Sequence, residues 1–124
     1  MNAKVTMGLR ILLGIMMVFF GLNKFAHFMD FPPIPGDGGV LMGIYISSGF
    51  MSLIGVLEIA GGVGLLINKF VPLSLTLLIA ILFNATMFHV LHDMGNVVGA
   101  LVGLILGIVL VYAHKDRFKD LLSA

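Results

Sequence analysis

One acid limits the fold of this chain more than any other residue. Glu58 is the only glutamate, and it stands in the middle of the stretch Gly49 to Ile67, where every other residue except Ser52 is apolar or glycine. Those nineteen residues match the length a helix needs to cross about 30 Å of hydrocarbon. A carboxylate left alone at that depth is costly, so it must be protonated, paired or turned toward a polar cavity. On a helical wheel Gly55, Gly61 and Gly62 fall within about 60° of it. A face that is acidic and nearly bare lets a second helix approach closely.

The rest of the chain has the same apolar character. Hydrophobic residues make up 60% and charged residues only 10%, with a mean hydropathy of +1.15. Soluble domains carry about 25% charged residues, so this composition implies an integral membrane protein in contact with a lipid bilayer. The 124 residues suit a single domain with spans near 5–25, 49–67, 71–92 and 95–113. The fold class expected is all-α: a four-transmembrane-helix bundle with a short extra interfacial helix between spans one and two. There is no cysteine, which excludes disulfides, thiol catalysis and thiolate metal sites. A net charge of +1 argues against nucleic acid as a partner.

In the first span Thr6, Arg10, Gly14, Met17, Gly21 and Lys24 occupy a sector roughly 80° wide. That stripe should face protein. The apolar run is too long for a signal peptide, and Gly21-Leu-Asn-Lys-Phe25 offers no small-x-small cleavage site, so a retained helix is expected. Phe25, Phe28 and Phe31 with His27 read as an aromatic belt at the water interface. Pro32 to Gly39 reads as a non-helical turn-rich loop, and Val40 to Ser48 as the short interfacial helix. Pro72 suits the first turn of span three. Lys4, Lys69, Lys115, Arg117 and Lys119 fall on one side of a four-span chain and only Lys24 on the other. The positive-inside rule then puts both termini in the cytoplasm.

Three groups of residues invite a functional reading. Arg10 lies about 9 Å in from Lys4, and Glu58 about 15 Å in from Asn68, both from the same side. An Arg10–Glu58 pair is expected, either as a proton or substrate site or as a structural lock. Lys24, His27, Asn84, His89, His92 and Asp93 gather toward the other side. Together the three histidines offer ligands for zinc, copper or haem, but no tight ligand motif is present and no metal is expected. Gly95, Gly99, Gly103 and Gly107 repeat at intervals of four and suit close packing within the bundle or along a homodimer seam.

Leu9-Arg10-Ile-Leu-Leu-Gly14, Phe20-Gly21-Leu-Asn-Lys24-Phe25, Leu57-Glu58-Ile-Ala-Gly61-Gly62 and the Ala85-x-x-x-His89 end of span three together resemble the DoxX/DoxD-like membrane proteins. The closing Ala113-His-Lys-Asp-Arg117 departs from the Gly-Pro-Gly-Arg-like turn of that family. The resemblance implies a small four-helix bundle in the bacterial cytoplasmic (inner) membrane, with Arg10, Lys24, Glu58, Gly61 and Gly62 as signature positions. Two functions follow. One is an accessory or small-ligand-binding membrane protein, with Arg10, Lys24, Glu58, Asn84, His89 and His92 as ligand candidates and Gly61, Gly62, Gly99 and Gly103 as packing positions. The alternative is a quinone-linked oxidoreductase subunit in which Glu58 and Arg10 handle protons. A homo-oligomer and a partner membrane subunit are both compatible with the sequence.

Overall fold

The computed structural model describes residues 1–28 and 32–124; the expected belt residue Phe31 lies outside them. The described residues form helices and no strand: α1 (Ala3–Ala26), α2 (Gly36–Ser47), α3 (Phe50–Leu66), α4 (Val71–His92), α5 (Val97–Ala113) and a final short turn, α6 (Lys119–Leu122). One-turn 3₁₀ segments, Met94–Asn96 and Lys115–Arg117, flank α5. Helices α1, α4 and α5 with its 3₁₀ lead-in are long and apolar enough to cross a membrane, and α2 with α3 make a fourth candidate bent by 75°. The bend falls at Gly49, whose φ of 83° lies in the left-handed region that glycine adopts most readily.

The helices form a ring in which α1 packs on α3, α3 on α4, α4 on α5 and α5 back on α1. Leu13, Met17, Leu65, Leu75, Leu78 and Leu110 fill the interior. Leu12, Ile15, Leu53, Val56, Ile105 and Ile108 stay exposed on the outside. A surface this apolar suits lipid and not water. The buried residues of α1 are Arg10, Leu13, Gly14, Met17 and Gly21, so the polar and small stripe does face protein.

Helix α2 begins earlier than the sequence predicts. Gly36 to Gly39, read as loop, form its first turn. Pro35 supplies an extended N-cap (φ −76°, ψ 160°) and Asp37 stands in the first turn, where a negative charge favours the helix dipole. Glycine is needed there because of what lies beneath. A Cβ at Gly38 would come 2.6 Å from the Cβ of His92, and one at Gly39 would strike the Ile34 carbonyl. Proline and glycine usually mark a loop; here they seat a helix on the end of α4.

Candidate functional site

Helices α1 and α3 run antiparallel with their backbones touching. A Cβ at Gly21 would lie 2.6 Å from the Gly55 carbonyl oxygen, and one at Gly62 would lie 2.8 Å from that of Gly14. Across this seam, Lys24 Nζ is 2.5 Å from Glu58 Oε1. Glu58 is only 4% exposed.

The partner of Glu58 is therefore Lys24 and not Arg10. The reason is geometric. Helix side chains lean toward the N-terminus of their own helix. Lys24 leans inward along α1, and Glu58, on an antiparallel helix, leans to meet it. Arg10 leans the opposite way. Gly14 packs against Gly62 and Leu66, so the level of Arg10 is the end of α3, eight residues beyond Glu58 by the count from 58 to 66. At 1.5 Å per residue that is about 12 Å, too far for one side chain. Sequence depths of about 9 and 15 Å differ by no more than an arginine can reach; register and tilt separate the two.

Arg10 is 8% exposed, and its Nη1 donates to the Leu65 carbonyl. That carbonyl belongs to the last turn of α3 and also accepts from the Asn68 backbone N–H at 3.3 Å. A cation here favours the negative end of the helix dipole. No carboxylate lies within ion-pair distance of Arg10 among the described residues. Instead Arg10 lines a cavity of about 370 Å³ together with Thr6, Asn68, His114 and Arg117. His114 is fixed by its Nδ1, which donates to the Leu110 carbonyl at 2.9 Å.

A second, apolar groove of about 190 Å³ lies between α3 and α4, with Gly61, Gly64, Phe70 and Ser74 in its walls. Gly64 was not singled out by the sequence reading, yet a Cβ there would strike the Ser74 hydroxyl. The Lys69 N–H closes the same turn on the Gly64 carbonyl at 3.0 Å. Its signal was the Gly-x-x-x-x-Lys spacing before a proline, a helix stop followed at once by a helix start.

The remaining candidates do not converge on Glu58. Asn84 Nδ2 donates to the Ala80 carbonyl of its own helix at 3.1 Å. His89 Nδ1 lies 3.5 Å from Asp93 Oδ2, and Phe88 packs against both His89 and His92. Among the described residues, no three histidine, aspartate or glutamate side chains come together as a metal site. His27 instead ends α1 in a left-handed conformation (φ 53°), its N–H on the Asn23 carbonyl. Of the glycines in α5, Gly103 and Gly107 press on Leu82 and Ile79 of α4 at 2.8 and 2.9 Å, measured to an added Cβ. Gly99 meets only the ring of Phe20, at 3.6 Å, and Gly95 meets nothing within 4 Å.

The sequence profile of the DoxX family matches residues 5–92. The chain belongs to the DoxX family. No curated protein and no solved structure gives a match to it. The DoxX match runs from α1 to the end of α4, so it contains the glycine seam, Lys24, Glu58, Arg10 and Asn68. Helix α5, with His114 and Arg117 after it, lies beyond the match.

Proposed function

We propose that this DoxX chain is a non-enzymatic accessory membrane protein that binds a small ligand, with Lys24 and Glu58 holding α1 against α3. One observation carries the reading: Glu58 meets a lysine inside a seam of touching backbones, and it lines neither cavity. A proton-handling carboxylate needs a path to water or to a bound reactant. Quinone-linked redox chemistry at Glu58 is the reading this arrangement favours less. Glu58→Gln separates the two, because the amide oxygen still accepts from the Lys24 ammonium but cannot exchange a proton. The variant is expected to keep its fold, its expression and the cellular phenotype of the parent. A well-folded Glu58→Gln protein that has lost quinone binding or that phenotype would put the oxidoreductase reading first.

The charge distribution supports an orientation as well. Lys4, Lys69, Lys115, Arg117 and Lys119 belong to the end of the bundle where α1 starts, α3 turns into α4 and α5 finishes. By the positive-inside rule that end faces the cytoplasm. A cysteine placed at Lys69 or Ser123 should label from the cytoplasmic side only, and one at Asp37 from outside only. Labelling at position 37 from the cytoplasm would reverse the assignment.

A further inference from the structure

We propose that the cavity lined by Arg10, Asn68, His114 and Arg117 is a binding site for a phosphate group. The site is built around a buried charge that no carboxylate among the described residues neutralises. A guanidinium stays protonated and carries five N–H donors. One nitrogen of Arg10 is committed to the Leu65 carbonyl, and the others have no protein acceptor among the described residues. The end of α3 offers only about half a negative charge, so a net positive charge remains at a side chain that is 8% exposed and borders open space. The lining also includes a second arginine, the exposed Arg117, and His114. Among the described residues no carboxylate lines the cavity; Asp116 and Asp120 sit on the same terminal segment but outside it.

Two arginines lining one space suit an anion with several acceptor oxygens, because guanidinium N–H groups pair in charge-assisted hydrogen bonds with the oxygens of a tetrahedral phosphate. Thr6 and Asn68 add neutral polar groups to the wall. Phe118, 4% exposed, anchors the segment that carries Arg117, so this wall is tied to the core. The position also fits. The cavity opens at the end of the bundle that bears Lys4, Lys69, Lys115 and Lys119, where anionic headgroups would lie against spanning helices. A lipid headgroup and a free phosphate would present the same chemistry. The inference rests on the small-ligand part of the proposed function and on nothing concerning Glu58.

The test uses the full chain in a nonionic detergent, titrated separately with phosphatidylglycerol, phosphatidylcholine and inorganic phosphate, with binding read by native mass spectrometry and thermal shift. One phosphatidylglycerol should bind per chain and raise the melting temperature, while phosphatidylcholine, whose choline cancels the charge, should not. Failure of inorganic phosphate at roughly millimolar concentration to displace the lipid would assign the site to headgroups; displacement would assign it to free phosphate. Arg117→Gln should weaken binding about tenfold, as expected for a lost charge-assisted contact. Lys119→Gln makes the same change of charge outside the cavity and should stay within about twofold. Arg10→Gln also removes the cap of α3, so the Arg117 variant decides. Equal losses in the Arg117 and Lys119 variants, or binding of neither phosphatidylglycerol nor phosphate, would overturn the proposal. A negative result beside an unaffected Glu58→Gln variant would remove the ligand and leave the accessory role standing.

Discussion

Arg10 and Lys24 lie on one stripe of one helix, yet they meet opposite fates. Lys24 reaches a carboxylate across a seam of touching glycines. Arg10 reaches the end of a helix and the wall of a cavity. The difference follows from direction and not from residue type. Side chains on antiparallel helices converge when each leans toward the other's level and diverge when they lean apart. One end of the bundle is closed by complementary charge; the other keeps Arg10, which has no carboxylate partner among the described residues. Closure suits a structural lock, and the open charge suits a ligand.

The largest effect that sharpens this contrast should come from Glu58→Leu, which strands the Lys24 ammonium in an apolar seam. Its cost should be about 3–5 kcal/mol, seen as a lower melting temperature in detergent. A variant as stable as the parent would show that the lysine simply swings to water and that the closed end is not held by charge.

Next in size is Gly21→Ala. The added methyl would sit 2.6 Å from the Gly55 carbonyl oxygen, and backbone cannot step aside as a side chain can. Overpacking of this kind costs about 1–3 kcal/mol. Gly103→Leu should fall in the same range, because a Cβ there already lies 2.8 Å from the buried Leu82 side chain, which the rest of the leucine must displace. Gly99→Ala is the control: its methyl meets only the Phe20 ring at ordinary van der Waals distance, so the change should stay within about 0.5 kcal/mol. Gly21→Ala and Gly99→Ala with the same melting temperature would remove the seam as the feature that closes one end.

Much of this architecture is readable from the chain. Hydrophobic run lengths mark the helices, and the stripe of Thr6, Arg10, Gly14, Met17, Gly21 and Lys24 marks the buried face of α1, because both depend on local periodicity. Register between helices does not. The sequence pairs Glu58 with Arg10 by depth, and replacing that partner with Lys24 required the antiparallel alignment set by the Gly14–Gly62 and Gly21–Gly55 contacts. Side-chain tilt, a rule available from sequence, would have favoured Lys24 over Arg10. Helix α2 was read two-thirds of the way because its opening glycines look like a loop until Ile34 and His92 are seen beneath them. The cavity could not be anticipated, since it unites residues 6, 10, 68, 114 and 117 through the ring of helices alone.

A pair of double-mutant cycles tests the contrast most directly, each measured by unfolding in the same detergent. One combines Lys24→Met with Glu58→Leu, the other Arg10→Met with Glu58→Leu. Residues in contact couple by about 0.5–3 kcal/mol, whereas separated ones add to within about 0.5 kcal/mol. The Lys24–Glu58 clamp predicts strong coupling in the first cycle, with the double variant recovering much of the loss, and simple additivity in the second. Coupling between Arg10 and Glu58 with none between Lys24 and Glu58 would contradict it.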